Sequence, residues 1–166
     1  MKNIFYPKAH FNCIYEITPV FLKSNGIEGV LLDIDNTLVP YSVKVPDEQV
    51  LQWLDALKQA NLKILILSNA KAERSILFAE KAGLPLVEKA AKPLKKGFRQ
   101  ATKDLGLPMD KMCIIGDQIF TDIWGGNRSG VYSILVTPIN KEESAFIRFK
   151  RALEKPILKS YHKKER

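Results

Sequence analysis

Apolar residues along this chain gather into short continuous runs, separated by stretches in which they recur every three or four positions. The runs are Val30-Leu31-Leu32, Lys63-Ile64-Leu65-Ile66-Leu67, Met112-Cys113-Ile114-Ile115 and Tyr132-Ser133-Ile134-Leu135-Val136. Runs without alternation suit strands buried on both faces of a parallel sheet, where no side meets water. Leu84-Pro85-Leu86-Val87 is a shorter, weaker strand. Between the runs, Val50, Trp53, Leu54 and Leu57 mark the buried face of a helix that starts at Pro46-Asp47-Glu48, an early proline with acids in the first turn. A second helix is predicted from about Lys71 to Ala82, with Gly83 as its stop, and a third opens at Ala91-Lys92-Pro93 and ends at Gly106. A fourth runs from about Phe120 to Arg128, weakened by Gly125 and Gly126. Strands alternating with helices predict an α/β fold, a Rossmann-like, mostly parallel sheet with helices on both faces and right-handed crossovers.

The two ends of the chain are less regular. Residues 1–29 form an aromatic lead-in segment, in which Ile14, Ile17 and Phe21 recur at helical spacing before Gly26. They are expected to pack on the core, or else to meet a substrate, membrane or partner. Residues 140–166 form a basic C-terminal helix and tail. Asn140 with Glu143 reads as a capping box, Ala145, Phe146, Phe149 and Leu153 share one helical face, and Pro156 is expected to end the pattern, leaving a mobile tail. From Lys141 onward there are nine Lys and Arg against four Glu, a net of +5 of the whole chain's +8. A basic amphipathic helix can lie at an anionic membrane interface, or pack on the sheet with its cations in water.

Length changes the picture little: 166 residues suit one domain spanning the chain. Charge changes it more, because +8 favours acidic partners such as phosphorylated substrates, anionic membrane or nucleic acid. Two cysteines, Cys13 and Cys113, offer neither a disulfide framework nor metal spacing, and a reducing cytosol is the simplest setting. No run is long enough to span a bilayer and no signal-peptide pattern is visible, so a cytoplasmic protein is expected.

The candidate chemistry sits where the runs end. In open parallel sheets ligands bind beyond the carboxyl ends of the strands, and that is where Asp33, Asp35, Ser68 and Asp117 fall. Residues two apart on a strand point the same way, so Asp33 and Asp35 are expected to converge on one ligand. Paired carboxylates repel unless a cation neutralises them, and oxygen ligands of this kind suit Mg²⁺. Phosphoryl transfer needs an in-line nucleophile, cations on the phosphoryl oxygens and a metal clamp. Asp33 with Asp35 and Thr37, Ser68 with Asn69, Lys92, and Asp117 with Asp122 supply these parts. The plainer alternatives are turn-forming Ser68 and Asn69, a solvated Lys92 with Lys89, Lys95 and Lys96 as rivals, and a solvated Asp122.

Asp33-x-Asp35-x-Thr37, Ser68, Lys92 and Gly116-Asp117-x-x-x-x-Asp122 resemble the four motifs of the haloacid dehalogenase (HAD) superfamily of phosphohydrolases. Leu67-Ser68-Asn69 and Ala91-Lys92-Pro93 look like subfamily IIIA, and within it the chain is similar to the YqeG-type proteins and to phosphatidylglycerophosphate phosphatases. The resemblance implies that Asp33 is nucleophile and Mg²⁺ ligand. It implies that Asp35 is general acid and base with its backbone carbonyl on the metal. Thr37, Ser68, Asn69 and Lys92 would then hold the phosphoryl group or shape its loop. Asp117 would ligate Mg²⁺, and Asp122 would act through water or by orienting its neighbours.

Many HAD enzymes close a cap domain over small substrates, inserted between the first and second or the second and third motifs. Here Asp33 to Ser68 holds a loop, one helix and one strand, and Ser68 to Lys92 one helix and a short strand. A site without a cap admits large substrates: a lipid head group, with phosphatidylglycerophosphate leading by resemblance, a phosphoprotein or a nucleic-acid end. The alternatives are a nucleotide or sugar-phosphate phosphatase and a basic RNA- or protein-binding module with a vestigial site.

Overall fold

The computed structural model describes residues 3–140 and 144–164. Its centre is one six-stranded sheet in the order β1-β6-β5-β2-β3-β4, with every pairing parallel. The strands are β1 (Ala9–Phe11), β2 (Gly29–Leu32), β3 (Lys63–Leu67), β4 (Leu86–Val87), β5 (Met112–Gly116) and β6 (Tyr132–Val136). The helices are α1 (Pro19–Ser24), α2 (Glu48–Gln59), α3 (Ala72–Ala82), α4 (Lys95–Leu105), α5 (Trp124–Ser129) and α6 (Ala145–Lys164). No cap domain is present among the described residues; loops and single helices fill the intervals between motifs.

The apolar runs account for both layers. On one face of the sheet Val30, Leu32, Ile64, Ile66, Cys113 and Ile115 pack against α1, α2 and α3 through Leu22, Trp53, Leu54, Leu57 and Phe78. On the other face Leu31, Leu65 and Ile114 meet Phe98, Ala101 and Leu105 of α4, and Leu135 packs with Ile157 and Leu158 of α6. Burying both faces is why the central strands read as unbroken apolar stretches.

Several boundaries differ from expectation. The lead-in segment packs on the core, as Ile14, Ile17 and Leu22 do, but it also supplies an edge strand, β1, that its mixed sequence does not announce. Its helical spacing is broken at Thr18, whose side chain caps α1 by accepting from Phe21 N–H at 3.1 Å, with Pro19 in the first turn. Residues 91–94 form a turn before α4, so Lys92 is not on the helix. The segment expected as one helix from Phe120 begins as a π-helical turn, Ile119–Ile123, and only then becomes α5. Pro156 lies inside α6, which continues to Lys164 where a mobile tail was expected. The proposed capping partner Glu143 lies outside the described residues; at the start of α6 it is Ser144 Oγ that accepts from Ile147 N–H, at 3.4 Å.

The chain runs from β2 outward through β3 to β4, then returns to the other side of β2 for β5 and β6. The strand order therefore reverses between β2 and β5, the point at which open parallel sheets bind ligands beyond the strands' carboxyl ends.

Candidate active site

The register of β2 on β5 pairs Leu32 with Ile115, so Asp33, one residue on, and Asp117, two residues on past Gly116, leave the sheet close together at the reversal point. Asp33 still donates its N–H to Ile115 O at 3.0 Å. The chain then turns tightly. Asn36, in the left-handed region at φ 60°, donates to Val39 O, and Thr37 and Leu38 donate to Ile34 O. Asparagine tolerates that conformation better than most residues. The turn brings Thr37 Oγ1 back to Asp33 Oδ2 at 3.3 Å and to Asp117 Oδ1 at 3.2 Å, bridging the two carboxylates.

Asp122 reaches the same place from the π-helical turn. Its carboxylate accepts from Gln118 N–H and Thr121 Oγ1. Gly116 makes the approach feasible, since a Cβ there would stand 2.2 Å from Asp122 Cγ. Between Asp33 and Asp122 lies the Lys92 ammonium, 2.6 Å from Asp33 Oδ1 and 2.7 Å from Asp122 Oδ1. Lys92 is buried, whereas Lys89, Lys95 and Lys96 are exposed, which decides among the four lysines. Asn69 pairs with the backbone of Lys92 in this structure. Its amide donates to Lys92 O at 3.0 Å and accepts from Lys92 N–H at 2.9 Å, fixing the backbone that carries the ammonium. Ser68 is buried at the end of β3, with Oγ accepting from Ala70 N–H.

The Asp33 and Asp35 carboxylates take different partners in this structure. The period of two holds only within a strand, and β2 ends at Leu32. The Asp35 carboxylate turns instead to α3, where Arg74 meets Oδ1 with two nitrogens, each at 2.7 Å. Arg74 also donates to Pro40 O and lies over the Tyr41 ring. The carboxylates that do converge are Asp33, Asp117 and Asp122, with oxygens within 4.8 Å of one another, a group that could hold a metal ion.

The other neighbour of this cluster comes from α6. Arg151 donates to the side chain and to the backbone carbonyl of Asp117. Glu154, one turn on, accepts from Arg151 at 3.2 Å and from Ile119 N–H at 2.8 Å and Phe120 N–H at 3.3 Å, satisfying the free amides that open the π-helical turn. In the sequence Arg151 is one of the cations of the basic C-terminal helix, facing either membrane or water, and neither Arg74 nor Glu154 stands out. The charges are visible in the sequence, but the facing carboxylates lie 34 and 39 residues away.

Burial sets the electrostatics. It pushes the Asp33 carboxyl up to about 7, against the pull of Lys92 and with a push from Asp122. It raises Asp117 well above the carboxylate range, opposed by Arg151. For Lys92 burial works against the charge, but the carboxylates of Asp122 and Asp33 outweigh it and push the ammonium up. Three buried carboxylates thus share two cations, a cluster that still has room for positive charge.

A model of the haloacid dehalogenase-like hydrolase family matches residues 43–130, the stretch that supplies Lys92, Asp117 and Asp122 to this cluster. The chain belongs to that family. It is a phosphatase of the family, 35% identical over 164 residues to the probable phosphatase YqeG of Bacillus subtilis, covering 99% of this chain and 95% of that protein. It is 28% identical over 153 residues to an Arabidopsis thaliana protein named phosphatidylglycerophosphate phosphatase 1, covering 86% of this chain but only 44% of that one. Among solved structures, the cobalt-bound deoxy-D-mannose-octulosonate 8-phosphate phosphatase of Haemophilus influenzae superposes with a TM-score of 0.53 at 15% identity, over 80% of this chain and 90% of that one. At that identity the likeness is one of fold.

Proposed function

We propose that this HAD phosphatase hydrolyses phosphomonoesters through an aspartyl-phosphate on Asp33, with Mg²⁺ as cofactor and phosphatidylglycerophosphate as substrate. The observation that carries the reaction is the buried cluster of Asp33, Asp117 and Asp122 around Lys92, at the strand reversal point. An all-oxygen donor set with surplus negative charge fits a hard divalent cation. Asp33, Asp117 and the Asp35 carbonyl would hold it, with Asp122 behind them. When bound it neutralises phosphoryl oxygens and orients the ester.

The protein's own groups do the rest. An Asp33 carboxylate oxygen forms the bond to phosphorus as the bond to the leaving oxygen breaks. Lys92 holds Asp33 in place and faces the incoming charge. Asp35 gives its proton to the leaving oxygen. It then takes one from the water that attacks the aspartyl-phosphate, which restores Asp33 and releases phosphate. The ion pair with Arg74 is made by the ionised form of Asp35, the base of the second half.

The lipid substrate is supported by the name of the Arabidopsis relative and by the lack of a cap domain among the described residues. We assay phosphatidylglycerophosphate in mixed micelles beside nucleotides, sugar phosphates and phosphorylated oligonucleotide ends, each with Mg²⁺ and with chelator, and titrate RNA in parallel. Preferred turnover of the lipid with Mg²⁺ is expected. Preferred turnover of a soluble ester would reassign the substrate, and RNA binding without any turnover would leave the site vestigial.

Arg151 offers a separate check on the metal. Its guanidinium occupies the carboxylate that a cation at Asp117 would need. Arg151→Ala is expected to destabilise the metal-free protein by roughly 3–5 kcal/mol, since it leaves a buried carboxylate uncompensated. It should also enlarge the rise in melting temperature produced by Mg²⁺, because the ion no longer displaces a rival. Equal Mg²⁺ shifts in the two proteins would mean that Asp117 is not part of the metal site.

A further inference from the structure

Helix α6 presents two very different sides. Its inner side carries Arg151 and Glu154 to the active site and packs Ile157, Leu158 and Tyr161 on the body of the protein. Its outer side carries Phe146, Phe149 and Leu153, which are 66%, 62% and 48% exposed. The spacing of these three, i, i+3 and i+7, puts them in one stripe along the helix. A sequence pattern of this kind ordinarily turns its aromatic stripe inward. Here the inward positions are taken by residues that satisfy Asp117 and the open amides of Ile119 and Phe120, and the rings face out.

The helix that carries the stripe is rich in cations. Lys150 holds its ammonium 4.7 Å from the centre of the Phe146 ring, and Arg148, Lys155, Lys159 and Lys163 are exposed further round the same helix. Loops at the mouth of the site add further exposed apolar groups. Tyr41 lies beside Arg74, Leu94 is two residues from Lys92, and Ile139 donates its N–H to Asn36 O. Among the described residues, six of the eleven exposed large hydrophobic side chains belong to α6 or to these loops.

We infer that the outer side of α6 is a docking surface for an anionic lipid bilayer, and that it brings the active-site mouth to that bilayer. Aromatic rings and leucine on an interfacial helix enter the headgroup boundary while lysine and arginine meet anionic headgroups. Charge complementarity selects an anionic surface. An unbroken apolar stripe selects lipid over RNA, which asks for rings alternating with cations along a groove. No described helix is long and apolar enough to cross a membrane, so the contact is peripheral. The inference rests on the function proposed above only in that the substrate phosphate stands at a membrane surface.

The test is co-sedimentation with vesicles of phosphatidylcholine alone and of phosphatidylcholine with phosphatidylserine, an anionic lipid that is neither substrate nor product. Wild type is expected to sediment with the anionic vesicles only, less so as salt is added, since the Debye length shrinks below about 8 Å. F146S/F149S is expected to lose roughly tenfold in binding per ring while hydrolysing a soluble ester such as nitrophenyl phosphate at the wild-type rate. That rate also certifies the fold, because both side chains are exposed. Charge reversal by R148E/K155E should remove the anionic preference. Equal binding to both vesicle types, no binding to either at low salt, wild-type binding by F146S/F149S, or binding of a single-stranded oligonucleotide in place of vesicles would each overturn the inference. Vesicle binding without hydrolysis of phosphatidylglycerophosphate would leave the surface standing and remove the lipid from the proposed function.

Discussion

Asp33→Asn is expected to abolish hydrolysis of every phosphate ester while leaving the protein folded and no less stable in chelator. The loss of activity follows from the chemistry, because an amide oxygen does not form the aspartyl-phosphate and a ligand charge is lost with it. The retained stability follows from the surroundings. Asp33 is one of three buried carboxylates facing Lys92 and Arg151. Burial pushes its carboxyl up to about 7, so the folded protein holds a proton there that the unfolded chain releases near the ordinary carboxylate value. An acid with a raised folded value stabilises most below its unfolded value and loses that contribution as pH rises toward the folded one. Stability of the wild type in chelator should therefore fall between about pH 4 and pH 7, and the variant should show a flatter profile over that window. Urea denaturation across pH measures it. Near wild-type turnover by the variant would remove Asp33 as nucleophile, and an unchanged pH profile would remove the electrostatic description of the cluster.

Asp35→Asn should behave differently. The backbone carbonyl that would face the metal is unchanged, so the Mg²⁺ shift in melting temperature should be largely kept. What is lost is proton transfer, a contribution of roughly 10²–10⁴-fold. That loss depends on the leaving group: large for an alkyl phosphate, whose oxygen needs the proton, and small for nitrophenyl phosphate, whose oxygen leaves as a stable anion. An asparagine oxygen can still accept from Arg74, which keeps its contacts to Pro40 and Tyr41, so unfolding should not confuse the comparison. Equal deficits on the two esters would mean that Asp35 is not the general acid.

Much of this follows from the sequence by itself. Apolar runs define β2, β3, β5 and β6 because strands buried on both faces favour apolar side chains, with the buried Ser133 of β6 hydrogen-bonded to Asn127. A polar residue that ends such a run must then sit at the rim of the sheet, which is why Asp33, Ser68 and Asp117 could be placed at one edge without coordinates. Local chemistry also announces Gly83 and Gly106 as helix stops, both left-handed in the structure.

Tertiary structure decided the rest. β1 is three half-buried residues whose pairing with β6 supplies what their own pattern lacks. Asp35 parts from Asp33 because the strand ends before it and Arg74 on α3 offers the better partner. Helix α6 shows the limit most plainly. Its sequence contains an aromatic stripe and a set of cations, and burying the stripe would be the local preference. The fold buries Arg151 and Glu154 instead, since a buried carboxylate at Asp117 and two open amides at Ile119 and Phe120 cost more when left unpaired than two phenyl rings cost when left in water. Those needs arise only once β5 and the π-helical turn are in place, so no reading of residues 145–164 alone could have found them.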